Sequence, residues 1–239
     1  MKETYLGVSV SRYNYEQIIE QLEHRFERHE QSTIIAVNPE KVMTAQRDPV
    51  VKRLINEATF QIADGIGMIL ASKIKGGAIR SRVTGVEMME RLLRFAEEEA
   101  HPIYLYGAKA DVLQKASAEI ARRHPNIHIA GQTDGYEQDE EALVERIHSS
   151  GARILFIALG SPKQELWIER NLSRLPNVLL FQGVGGSFDV LSGTVKRAPK
   201  TFQKLGLEWL YRLMTNPSRW RRQLNLPKFL LRVVTEKKK

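Results

Sequence analysis

Asp64 closes a short apolar run, Phe60–Ala63 (FQIA), and is followed by Gly65-Ile66-Gly67. A carboxylate at a strand end beside glycine has little side-chain bulk around it and can face a cleft. There it can take a proton as a general base. The same spacing also fits an Asp64 that caps a helix beginning near Ile66. Five other runs end in comparable turns. Asn38-Pro39-Glu40 follows Thr33–Val37, Gly107 follows Ile103–Tyr106, and Gln132-Thr133-Asp134-Gly135 closely follows Ile127–Ala130. Gly160-Ser161-Pro162-Lys163-Gln164-Glu165 follows Arg153–Leu159, and Gly183-Val184-Gly185-Gly186 follows Val178–Phe181. Turns such as those at Gly107, Gly160, Gly183 and Gly185 can bring backbone N–H groups to a phosphate, although strand-to-helix turns use glycine for positive φ in any case. Asn38 and Gln164 read as caps or turn residues when taken alone; their convergence with Asp64 on one sheet edge favours a site.

Neither glycine turn completes GxGxxG, because Leu70 and Phe188 stand at the last glycine position, and GxxxxGK[ST] is absent. Dinucleotide and P-loop chemistry are therefore disfavoured. The chain also lacks Asp-x-Asp. A transferase that releases a nucleoside diphosphate without carboxylate-held metal must meet the departing charge with cations or N–H groups. Arginine suits this, because its planar fork matches phosphate oxygens. Arg82, in the turn Arg82-Val83-Thr84-Gly85, is one candidate. Arg212, Arg219 and Arg222 near the C-terminus are others, each with a solvated helix face as the bland alternative.

The elements that must hold these residues follow from periodicity. The six apolar runs read as strands. Between them, Tyr15–Arg28, Val86–Glu99, Asp111–Arg123, Asp139–Ser149 and Lys163–Arg174 carry helical patterns, the first with Ile18, Ile19, Leu22 and Phe26 on one face. Alternation of apolar strands and amphipathic helices implies an α/β, Rossmann-like, mostly parallel sheet with helices on both faces. Ligands in such sheets sit beyond the C-terminal strand ends.

Composition narrows the classes. A chain of 239 residues with 42% hydrophobic side chains suits one compact domain, with room for an appendage. No cysteine is present, which excludes disulfides, thiolate metal sites and a Cys nucleophile. The six histidines never fall in HExxH, no apolar stretch approaches a membrane span, and the N-terminus lacks a secretory apolar region. The expectation is a soluble protein.

The net charge of +8 is unevenly divided. Residues 1–194 hold 23 Lys and Arg against 26 Asp and Glu, whereas residues 195–239 hold 13 against 2. We therefore expect an α/β catalytic domain over 1–194 and a basic, amphipathic helical appendage over 195–239. From Thr201 the pattern is helical without strands. Glu208–Met214 forms one helix, and Asn216 and Pro217 suit the start of another. Sixteen residues of Phe202–Val234 are apolar, Trp209 and Trp220 among them. Basic amphipathic helices of this kind lie in a membrane interface, unless their apolar face packs on the main domain. An uncovered apolar face would also drive homo-oligomer formation in solution, and removal of the appendage should then raise solubility.

Taken together, VNPEKV (37–42), ADGIGM (63–68), RVTG (82–85), LGSPKQELWI (159–168), GVGGSFDVLSG (183–193), RAPK (197–200) and EWLYRLMTNPSRWRR (208–222) resemble the bacterial glycosyltransferase family of TagA and WecG type. The resemblance runs from about residue 5 to residue 225. It implies an inverting, metal-independent hexosyltransferase that needs no cofactor. Such an enzyme moves N-acetylmannosamine from its UDP derivative to the C4 hydroxyl of N-acetylglucosaminyl-diphospho-undecaprenol, a step in building teichoic acid or a related surface polymer. It further implies Asp64 as catalytic base, Asn38, Arg82 and Gln164 lining the pocket, and Arg212, Arg219 and Arg222 folding over it to meet the diphosphate. Its location would be cytoplasmic, peripheral at the inner face of the cell membrane. Ala36 stands where many members have Thr, which removes a hydroxyl and bears on the choice of sugar. A same-fold transferase of another UDP-sugar, glucose or N-acetylglucosamine, in capsule or exopolysaccharide assembly is the near alternative. A nucleic-acid-binding protein is the remote one, since the tail intersperses bulky apolar residues and no nucleic-acid module is recognisable.

Overall fold

The computed structural model describes residues 2–215, 220 and 224–236, with the side chains of Lys204 and Arg212 excepted. Six parallel strands form the main sheet: β3 (Ser32–Val37), β4 (Phe60–Ala63), β5 (Ile103–Gly107), β6 (Ile129–Thr133), β7 (Ile154–Ala158) and β8 (Leu180–Gly183), in the order β4-β3-β8-β7-β5-β6. Every residue of β4, β5, β7 and β8 is buried. That is the burial expected of parallel strands whose helical crossovers cover both faces. β1 (Lys2–Tyr5) and β2 (Val8–Ser11) make a separate antiparallel hairpin.

β6 corrects the expected strand 127–130. It lies at the sheet edge, half-exposed, and starts two residues later, so Gln132 and Thr133 belong to the strand and not to the turn. Its pairing with β5 shifts register after Ile103, and the Tyr104 hydroxyl meets Thr133 Oγ1 at 2.7 Å. An edge strand needs only one partner and no apolar run, so hydropathy marks it poorly.

The chain forms two compact units. The first comprises Met1–Asn14, Ala36–Thr84 and Arg197–Lys239. Here Asn38 caps α2 (Pro39–Ala45) by accepting from Lys41 N at 2.9 Å, and Asp48 caps α3 (Pro49–Glu57) by accepting from Val50 N and Val51 N. In both helices proline takes the first helical position, where its missing N–H costs nothing. α4 (Ile66–Lys75) follows β4, and it is apolar on most sides, which hides it from a search for helical periodicity.

The second unit comprises Tyr15–Ile35 and Gly85–Lys196. Its helices α1 (Tyr15–Glu27), α5 (Gly85–Glu98), α6 (Ala110–Arg123), α7 (Glu140–Ser149), α8 (Lys163–Asn171) and α9 (Ser187–Leu191) match the expected amphipathic stretches, with α9 as an addition. α1 packs on α5 through Phe26 and Phe95, whose rings meet edge to face at 5.4 Å. Around β7 and β8 the interior includes Trp167, Leu155, Ile157 and Phe181.

The C-terminal segment is helical, with α10 (Lys200–Lys204), α11 (Glu208–Thr215) and α12 (Asn225–Thr235). α12 packs on α2 and α4, and Phe229 and Val233 are fully buried there. Its end is tied down as well: Glu236 accepts from Leu6 N at 3.0 Å through its side chain and from Lys75 Nζ at 2.7 Å through its carbonyl. Part of the segment's apolar face is thus interior to the first unit. Removing the segment would uncover the surfaces of α2 and α4 that it covers, so the structure gives a reason to expect truncation to lower solubility instead. Trp220, Leu231 and Val234 remain more than half exposed. Among the described residues no helix is long and apolar enough to cross a membrane.

Candidate functional site

Two backbone hydrogen bonds assemble the strand-end residues of the first unit. Asp64 N donates to the Val37 carbonyl at 2.9 Å, which places Asp64 beside Asn38 at the ends of β4 and β3. Val83 N donates to the Ala63 carbonyl at 2.9 Å and straps the Arg82 turn to the same strand end. Asn38, Asp64 and Arg82, 44 positions apart at their extremes in the chain, are therefore carried by adjoining backbone.

Asp64 is half-buried and does not occupy the helix cap. That position belongs to Gly65, which makes no side-chain cap bond and holds φ 92°, ψ 157°. Only glycine adopts this conformation without strain. The carboxylate is displaced from the capping geometry by one residue, and the helix dipole of α4 begins next to it. Asn38, by contrast, does serve as a cap, with Oδ1 engaged by Lys41 N. Ala36 lies half-buried in β3 two residues before it.

Arg82 is engaged by the C-terminal segment. Its Nη1 reaches Glu208 Oε2 at 3.2 Å, and its Nη2 donates to the Gln203 carbonyl at 3.0 Å. Arg197 Nε approaches the other Glu208 oxygen at 3.5 Å. The side chains of Arg82 and Glu208 are each 16% exposed, so the pair is screened from bulk water far more than a surface ion pair. The turn between α10 and α11 rests on the residue that follows Gly65: a Cβ on Gly206 would lie 3.0 Å from Ile66 Cβ. Of the expected tail arginines, Arg212 lies on α11 with its side chain outside the described residues, and Arg219 and Arg222 lie outside them altogether.

Sequence reasoning overlooked Glu208, Gln203 and Arg197. A signal for the first was present. Glu208 and Glu236 are the two acids among residues 195–239, and each fastens this strongly basic segment to the rest of the first unit.

In the second unit the glycine turns are joined by Gln164. It is buried at 4% exposure; Oε1 accepts from Gly185 N at 3.1 Å, and Nε2 donates to Glu165 Oε1 at 3.2 Å. Its backbone N donates to Gly160 O at 3.0 Å. A Cβ on Gly183 would lie 2.3 Å from Gln164 Nε2, so the absent side chain at Gly183 is what admits the amide. One side chain therefore ties the turn after β7 to the turn after β8. Gly107 ends β5, and the next residue, Ala108, donates to Ala158 O at 3.0 Å at the end of β7. Among the described residues no three His, Asp or Glu side chains are grouped as a metal site requires.

A sequence model of the WecG/TagA/CpsF family of glycosyl transferases matches residues 3–239. The protein belongs to that family. Its activity is therefore transfer of a sugar from a donor to an acceptor.

Proposed function

We propose that this glycosyltransferase moves N-acetylmannosamine from UDP-N-acetylmannosamine to the C4 hydroxyl of N-acetylglucosamine carried on undecaprenyl diphosphate, with inversion. The observation that supports this most is the half-buried Asp64 carboxylate at a strand end, set beside Asn38 and the Arg82 turn. In this mechanism the acceptor hydroxyl attacks the anomeric carbon in line. Its proton passes to the Asp64 carboxylate, the new C–O bond forms, and the bond to UDP breaks with its electron pair leaving on the diphosphate. General-base assistance of this kind contributes roughly 10²–10⁴-fold.

The departing charge is met by guanidinium and backbone N–H groups. Arg82 and the tail arginines Arg212, Arg219 and Arg222 supply the first; the glycine turns of the second unit, at Gly107, Gly160, Gly183 and Gly185, are of the kind that supplies the second. Gln164 contributes by holding two of those turns together. Each well-aimed donor is worth about 3 kcal/mol in the transition state. Since the chain lacks Asp-x-Asp, no divalent ion is required in this reading.

The lipid acceptor resides in a membrane, and the segment from residue 195 is the part of the chain suited to reach it. Exposed Trp220, Leu231 and Val234 amid Arg and Lys match the chemistry of an interfacial helix. The enzyme would work at the inner face of the cell membrane, held peripherally. An assay of the purified protein with a panel of UDP-sugars on a short-chain polyprenyl-diphosphate acceptor tests the assignment. Preference for UDP-N-acetylmannosamine is expected; preference for UDP-glucose or UDP-N-acetylglucosamine would replace it with the neighbouring reading.

A further inference from the structure

We infer that Glu208 is a positioning residue: its carboxylate clasps Arg82 and Arg197, and so fixes both guanidinium groups and seats the C-terminal arm beside the Asp64 turn. This rests on the reading of Arg82 as a donor to the departing diphosphate. Three features of the first unit carry it. The carboxylate takes one guanidinium on each oxygen, Arg82 Nη1 at 3.2 Å and Arg197 Nε at 3.5 Å. Arg82 is held a second time by the Gln203 carbonyl, again from the arm. The backbone next to Arg82 is itself bonded to the end of β4, through Val83 N and Ala63 O. The arm thus grips the loop that is strapped to the strand carrying the acid.

The charge pattern argues that the contact orients as well as anchors. A guanidinium has five N–H donors, so the bonds to Glu208 and Gln203 leave Arg82 with donors for an anion. Two arginines around one carboxylate keep a net positive charge, which still attracts a diphosphate. Without Glu208 the two guanidinium groups would repel each other and Arg82 would be left, among the described residues, with the Gln203 carbonyl alone to direct it. Anchorage of the arm has separate support, because α12 holds Phe229 and Val233 in the interior and Glu236 is bonded to Leu6 and Lys75. A variant at Glu208 should therefore keep its fold.

The test compares wild type, Glu208→Gln, Glu208→Asp, Arg82→Gln and the Arg82→Gln/Glu208→Gln double variant in the full-length protein. Two readouts are needed: UDP affinity by calorimetry, and amide hydrogen exchange over residues 200–211. Glu208→Gln is expected to weaken UDP about tenfold and to speed exchange at the α10–α11 turn at least tenfold, with the melting temperature nearly unchanged. Glu208→Asp should recover part of both. The double variant should bind UDP about as weakly as Arg82→Gln alone, since residues acting through one contact are not additive. Wild-type exchange or wild-type UDP affinity in Glu208→Gln would overturn the inference, as would additive losses in the double variant. Failure of the wild-type protein to bind UDP would instead count against the donor assignment, and exchange would still report whether Glu208 seats the arm.

Discussion

Leu226 stands where a side chain on Gly67 would have to go: a Cβ at Gly67 would come within 2.6 Å of Leu226 Cδ1, and within 2.4 Å of Pro39 Cγ. A missing methyl on the first turn of α4 thus lets α12 and the start of α2 close together beside the Asp64 turn. Gly67→Ala should force this contact apart and destabilise the protein by about 1–3 kcal/mol, the usual cost of overpacking. Urea unfolding measures it. An unchanged midpoint would mean that α12 does not press on α4 in solution.

Asp64→Asn keeps the shape of the side chain and removes its basicity. Because Gly65 and not Asp64 occupies the cap of α4, the substitution should leave the helix intact. Turnover is expected to fall on the order of a hundredfold or more, with the melting temperature and UDP affinity close to wild type. Steady-state kinetics beside calorimetry checks this, and near-normal turnover would remove Asp64 from the role of base.

Glu3 ties the N-terminal hairpin to the loop after α4. Its carboxylate accepts from Ser72 Oγ at 2.8 Å, Ile79 N at 3.1 Å, Ala78 N and the Tyr5 hydroxyl, and pairs with Arg12 Nε at 3.0 Å. Burial pushes its pKa up, but these hydrogen bonds and Arg12 outweigh that and hold it below the ordinary carboxylate value. A folded-state pKa below the unfolded one adds stability above the unfolded value, and this is lost as pH falls through the folded value. Glu3→Gln should therefore cost about 2–3 kcal/mol at neutral pH, and the gap from wild type should narrow below about pH 4. Thermal melts across pH 3–7 test it; parallel curves would show that the carboxylate's charge contributes nothing.

Gln164→Ala removes the acceptor of the Gly185 amide, and Gly183→Ala pushes the Gln164 amide out of its place. Both should release the turn after β8 and cost about 1–3 kcal/mol through a polar group left unsatisfied in a half-buried or buried place. Faster exchange of the Gly185 amide in both variants, by tenfold or more, is the expected signature. Wild-type protection in Gly183→Ala would show that the turn holds without Gln164.

How much was legible in advance follows from which interactions are local. Strands such as β5 and β7 are buried on both faces, so they are written as unbroken apolar runs and could be read directly. The helices with one buried stripe, α1 and α5 among them, were equally plain. α2 and α3 are signalled by Asn-Pro and Asp-Pro cap pairs, and of the readings open for Asn38 the structure realises the cap. The β1–β2 hairpin escapes notice because its strands, KETY and VSVS, are half polar or more and carry no apolar run.

Strand-turn-helix order is set by hydropathy and glycine over short stretches, and that order already brings an acid, an amide and an arginine close to strand termini. Their partners come from the folded chain. Glu208 meets Arg82 across 126 positions, and Glu236 meets Leu6 across 230. No local pattern encodes such pairs, since they arise only when the arm folds back and its two acids find cations and amide groups brought close by the rest of the chain.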